Sequence, residues 1–138
     1  MTTISETLRA GVSNHDGEPF ACDVRVAWTS ERPFELSWTF LDTTVGDIEW
    51  TLSRELIAES LITYDRLGIG DVRVQRFVNA CAVKLELSSP SGQCEALMCT
   101  TPLTTFLNAT YRMCPPNSAV ESEAVEHALA VLLAQVNR

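Results

Sequence analysis

With 138 residues, 46% of them hydrophobic and 20% charged, the chain has the length and composition of a single globular domain that can bury a core without disulfide staples. Its formal net charge of −8 argues against functions that depend on neutralising phosphates or anionic lipid heads, which need a surplus of lysine and arginine. The stretch MTTISETLRAGVSNHDGEPF has no basic region leading into an apolar one, and no segment reaches the roughly 18 to 20 apolar residues of a membrane span. The expectation is therefore a cytosolic chain with no membrane insertion, whose five cysteines stay reduced and act as small apolar residues.

Strand periodicity dominates the first hundred residues. ISETLRAGV is a weak strand, with Ile4, Leu8 and Val12 on one parity and Glu6 interrupting. CDVRVAWT places Cys22, Val24, Val26 and Trp28 on one side, and FELSWTFL does the same with Phe34, Leu36, Trp38 and Phe40. Alternation of this kind marks half-buried antiparallel strands, and SERP between the two runs predicts a hairpin. In IEWTLSRELIAESL, Ile48, Trp50 and Leu52 continue the inward parity, and Glu49 is solvated. Ser53 is a good N-cap, Glu55 sits at the favourable end of a helix dipole, and Leu56, Ile57, Ser60 and Leu61 share a face. The residues thus specify a strand that runs straight into a capped helix.

GIGDVRV restarts the sheet after Gly68 and Gly70. Three runs follow: DVRVQRF (Val72 and Val74 inward), CAVKLELSS (Cys81, Val83, Leu85 and Leu87 inward) and CEALMCT, joined by VNA and SSPSGQ as hairpin turns. In TPLTTFLNATYRM, Thr101 is expected as cap and Pro102 as first helical residue, with Leu103, Phe106 and Leu107 on one face until CPP stops the helix. SAVESEAVEHALAVLLAQVNR opens with Ser118 and Glu121 spaced as a capping box and carries an apolar stripe through Val125, Ala128, Leu129 and Leu132. The predicted layout is one α+β domain over residues 1–138, with strands in about 3–52 and 70–99 and helices at about 54–63, 102–112 and 119–136.

No familiar reaction chemistry emerges from these residues. The cysteines lack zinc-knuckle spacing, and His15 and His127 lie at opposite ends of the chain. Glu55 and Glu59 are one helical turn apart, away from the apolar face, where nothing would desolvate them for acid–base work. The glycines of GIGDVRV lead into a strand and not a helix, so they cradle no phosphate. Trp28, Trp38 and Trp50 all fall on inward parities, unlike a base-stacking platform. The reading is no enzyme, no metal and no cofactor, with Glu55 and Glu59 as candidate partner-facing acids.

Several motifs, in order and in register, nevertheless resemble the SsgA-like proteins of sporulating actinomycetes across roughly Cys22 to Pro116. The strand-to-helix corner supplies Trp50, Arg54, Leu56 and Leu61; GIGDVRV supplies Gly68, Gly70, Asp71, Val72 and Val74. The turn LSSPSG supplies Ser89, Pro90 and Gly92, and the next helix supplies Phe106 and Leu107 before Pro115. The family's hairpin keeps Arg25, Pro33 and an aromatic at Phe34 but loses the acids around its turn, which marks a divergent member.

The resemblance implies two antiparallel sheets packed across each other with one inserted helix and two C-terminal helices, similar to the Whirly fold. It also implies a cytoplasmic homotrimer without catalysis, acting at division septa through FtsZ or another SsgA-like protein in septum or spore-wall assembly. The acidic charge argues against carrying over nucleic-acid binding. The two alternatives are a small-molecule-binding domain or hydrolase with its site between sheets and helices, and a single-stranded nucleic-acid binder.

Overall fold

The structure, a computed structural model, describes residues 1–14, 17–116 and 129–134. Seven strands and two helices follow one another as β1 (Thr3–Asn14), β2 (Phe20–Thr29), β3 (Glu35–Thr43), β4 (Gly46–Ser53), α1 (Arg54–Ser60), β5 (Val72–Arg76), β6 (Ala82–Ser89), β7 (Gly92–Cys99) and α2 (Thr100–Met113). All the pairings are antiparallel and give one sheet in the order β4-β3-β2-β1-β7-β6-β5. The expected pair of packed sheets is therefore a single continuous sheet. The reason lies in the length of β1, which pairs with β2 from Thr3 to Val12 and with β7 from Ala10 to Asn14. It joins the wing β4-β3-β2 to the wing β7-β6-β5.

All seven strands contribute to one buried cluster, so the sheet curls around its own inner face. Period-two patterning explains most of that cluster. Val24, Val26, Trp28, Leu36, Trp38, Val83, Leu85 and Leu87 are buried, while Asp23 and Arg25 face water. At roughly 25 cal/mol for each Å² of apolar surface removed from water, such alternation fixes the register, because a one-residue slip would expose every one of these side chains. The helices cover one end of this inner face. Leu103, Phe106 and Leu107 of α2 and Ile57 of α1 are all at most 3% exposed.

Several positions differ from expectation. Ile48 and Phe34 are exposed and Trp50 is only half-buried, because β4 is an edge strand and Phe34 precedes β3. Cys81 lies in the turn before β6 and is exposed. Thr101 is not the cap of α2: β7 runs directly into the helix, Cys99 is the capping position, and no side chain accepts there. Pro102 in the first turn still fits, since that turn's N–H groups have no helical partner. β1 is a full 12-residue strand at the centre of the sheet. The capping box Ser118/Glu121, His15, His127 and the stripe residues Val125 and Ala128 lie outside the described residues. Within 129–134 the chain is helical, with Leu129, Leu132 and Leu133 exposed.

The two glycines of GIGDVRV turn the chain into β5 in different ways. Gly68 has φ +105° and a Cβ there would lie 2.2 Å from the Val72 carbonyl oxygen, whereas Gly70 has φ +76° with open space around it. Gly68→Ala should therefore cost about 3 kcal/mol and Gly70→Ala about 1 kcal/mol. Urea unfolding of both variants checks this; equal losses would contradict the close approach at Gly68.

Candidate functional site

The strand-to-helix corner is the most elaborately built part of the molecule. Ser53, at extended φ/ψ, caps α1 by accepting from the Leu56 N–H at 3.2 Å. The next residue, Arg54, donates its own backbone N–H to the Phe34 carbonyl at 3.0 Å and turns its side chain into the protein. Arg54 is 1% exposed. Its guanidinium lies 4.1 Å from the Tyr111 ring centroid and 5.7 Å from that of Trp28, and donates to the Thr110 carbonyl at 3.4 Å. A guanidinium suits this place better than an ammonium would, because it is weakly hydrated and stacks flat on rings while its N–H groups donate in plane. Trp28 is held in turn by its indole N–H, which donates to the Pro33 carbonyl at 3.0 Å. One side chain thereby ties α1, β2 and the C-terminal part of α2 together.

With Arg54 inside, the opposite side of α1 faces water. Glu55 and Glu59 are both exposed there, one turn apart. Leu56 and Leu61 are half-buried, and Ile57 and Ser60 are buried with the Ser60 hydroxyl donating to the Ile57 carbonyl. The expected acid pair is thus present on the surface, at the tip of a rigid corner.

After α1 the chain crosses to β5 through a segment held by arginines. Arg76 donates to the Leu61 carbonyl at 2.8 Å and lies 5.1 Å from the Tyr64 ring centroid. Arg73 donates to the Gly68 carbonyl, and Leu67 bridges to Val74 through paired backbone bonds of 2.9 and 3.0 Å. Arg66 pairs with Glu86 at 2.6 Å, and Lys84 reaches the other oxygen of that carboxylate at 3.1 Å. Strand and helix periodicity gives no sign of these clamps. Their signal is the concentration of arginines at 66, 73 and 76 in a chain with only 10 basic residues.

The remaining motif residues are brought to separate places. Val74, Phe106 and Leu107 are buried core, and Val72 is half-buried. Asp71 is exposed, its carbonyl accepting from the Ser88 N–H at 2.9 Å. Ser89, Pro90 and Gly92 form the exposed β6–β7 turn, where the Ser89 hydroxyl accepts from the Ser91 N–H, and Pro115 follows the C-cap of α2 at Cys114. They are supports of a scaffold and not one constellation. Burial pushes the Cys94 and Cys22 thiols above their ordinary range, which leaves them less thiolate and less nucleophilic than an exposed cysteine.

The model of the family described as Streptomyces sporulation and cell division protein, SsgA, matches residues 22–119. The chain belongs to the SsgA family. Sporulation-specific cell division protein SsgB of Saccharopolyspora erythraea is 32% identical over 111 residues, 80% of this chain and 77% of that protein. SsgB of Streptomyces coelicolor is 29% identical over 130 residues, 93% and 92% of the two chains. Among solved structures, the SsgA-like sporulation-specific cell division protein of Thermobifida fusca superposes with a TM-score of 0.77 at 25% identity, over 96% of each chain. A structure of SsgB, from work relating its mutations to longitudinal cell division during sporulation of Streptomyces coelicolor, gives 0.76 at 27% identity over 89% and 95%. The curled antiparallel sheet with its few helices is thus the fold of the SsgA family. No helix among the described residues is long and apolar enough to cross a membrane.

The clamped segment of this SsgA-family chain has a pH signature. The hydrogen bond from Arg66, with help from Lys84, holds the Glu86 carboxyl below its ordinary value of 4.5. A depressed folded-state pKa contributes stability above the unfolded value, and that contribution is lost as pH falls through the folded one. Glu86→Gln should accordingly be less stable than the wild type at pH 7, with the gap closing below about pH 4. Thermal unfolding across pH 3–7 reads this directly; a constant gap would show that the ion pair contributes nothing.

Proposed function

We propose that this SsgA-family chain is a non-enzymatic adaptor of sporulation-specific cell division, working at the septum through protein–protein contacts. In this reading it is a cytoplasmic homotrimer that positions FtsZ, or another SsgA-like protein, during septum or spore-wall assembly. The observation that carries it is the match of residues 22–119 to the family, extended over nearly the whole chain by SsgB of Streptomyces coelicolor. The architecture is consistent with it: a rigid corner presents Glu55 and Glu59 outward, and the named motif residues support the scaffold around it. Acids on a capped helix are well suited to a partner's basic residues, and cost little stability while exposed.

A charge reversal separates contact from folding. Glu55→Lys with Glu59→Lys should keep the melting temperature within about 3 °C, since surface changes of this kind are worth under about 0.5 kcal/mol. In a sporulating actinomycete host the same variant should fail to restore sporulation septa in a strain lacking the wild-type gene. Normal septation with the variant would remove the two acids from the contact surface, and normal septation in the strain lacking the gene would remove the division role. Sedimentation equilibrium at three times the chain mass is expected; a stable monomer would exclude the trimer.

A further inference from the structure

Among the described residues, α1 and α2 cover one end of the curled sheet. At the other end the inner face is open as a trough of about 750 Å³, floored by Phe40 and Trp50 and walled by Phe20, Val45 and Ile48. Its apolar residues stay in contact with water: Phe20 is 48% exposed, Ile48 39% and Val45 80%. These side chains share the inner parity of the core or stand at the tip of the β3–β4 hairpin, and Phe40 is itself a core residue. Half-exposed aromatic and aliphatic groups against a rigid buried floor are the material of protein-binding hot spots.

The charge around the trough selects its occupant. No lysine or arginine occurs in residues 10–24, 33–53 or 85–111, the three stretches that supply every residue of its lining. The charged side chain that does line it is Asp42, at φ +54°. The Asp42 backbone N–H donates to the Asp47 carboxylate at 2.9 Å, which fixes a second acid beside the first. Glu18 is exposed in the β1–β2 connection, two residues from Phe20. An apolar trough whose charged lining residue, among the described residues, is an acid favours apolar anchors flanked by positive charge and repels acidic partners. The chain's own C-terminal segment fits poorly, since residues 117–138 carry Glu121, Glu123 and Glu126 against the single Arg138.

We propose that this trough is a docking surface for a basic, apolar-anchored segment of a partner protein. It rests on the adaptor reading above and adds a second contact surface, at the end of the sheet away from Glu55 and Glu59. The apolar anchors would seat against Trp50, Phe20 and Ile48, and the flanking cations would lie against Asp42 and Asp47.

Three labelled 15-residue peptides with one shared apolar core, flanked by lysines, serines or glutamates, test this by fluorescence anisotropy on the full chain. The lysine-flanked peptide should bind at least tenfold more tightly than the others, and weaken severalfold between 50 and 300 mM salt as the charges are screened. Ile48→Ser should reduce its affinity at least tenfold, and Asp42→Asn with Asp47→Asn should reduce both the affinity and the salt dependence. Glu49→Gln, on the opposite face of β4, should change nothing, and circular dichroism confirms that each variant is folded. Equal binding of the three peptides, or full binding by folded Ile48→Ser, would overturn the proposal. So would displacement of the probe by a peptide of residues 117–138, which would assign the trough to the chain's own end. Conversion of a multimer to a monomer by Ile48→Ser would overturn it too, assigning the trough to a second copy. Septation in the host is read separately: peptide binding with unaffected septation in Ile48→Ser keeps the surface and contradicts its use in division.

Discussion

A buried cation held between two aromatic rings is the constraint on which the rest of this protein depends. Arg54 opens α1, yet its side chain belongs to the core, stacked on Tyr111 and near Trp28 and bonded to the carbonyl of Thr110. A charge that deep costs several kcal/mol in desolvation if left uncompensated, so ring faces and acceptors must be in place when the corner forms. In return the corner has a single arrangement. The helix cannot rotate without exposing apolar groups and stranding a guanidinium, and α2 cannot slide along the sheet without losing Tyr111 from the stack. The exposed acids of α1 inherit that rigidity, which suits a contact surface that must keep its shape before a partner arrives.

The same constraint explains why the molecule has two unlike ends. The helices and the buried Arg54 close one end of the curled sheet, and the clamps of Arg66, Arg73 and Arg76 secure the segment that leads from α1 to β5. Five of the ten basic side chains, Arg54, Arg66, Arg73, Arg76 and Lys84, serve this work, bound to carbonyls, rings or Glu86. The far end, made of hairpin tips, is left with acids and unpaired apolar groups. A net charge of −8 therefore describes an uneven distribution, with half of the positive groups committed to these internal bonds and acids left around the open end.

Much of this was legible in the sequence, and the exceptions have physical causes. Alternation in β2, β3 and β6 announced the buried side because each strand packs one face against a core and the other against water. The cap at Ser53 was legible for a similar reason: it is a local bond between residues three apart. β1 gives a weak signal because Glu6 breaks the inward parity of Ile4, Leu8 and Val12, and the small side chain of Ala10 adds little to it. The merging of two expected sheets into one was not legible, since it depends on β1 pairing with β7, whose partner residues lie about 80 or more positions further along the chain. Ile48 shows the remaining difficulty: parity gave its side correctly, but parity says nothing about which end of a sheet is left uncovered. Arg54 stood out as part of a motif, while its burial followed from Trp28 and Tyr111, which only the tertiary fold brings to it.

Arg54 couples α1, β2 and α2 into one unit. Native-state amide hydrogen exchange on the wild type and on Arg54→Lys tests it most directly, because lysine keeps the charge and loses the flat, forked guanidinium. Coupling requires protection to fall together in α1, around Trp28 in β2, and in the last turns of α2 near Thr110. Loss of protection confined to α1, with β2 and α2 unchanged, would contradict it and reduce Arg54 to a local feature of one short helix.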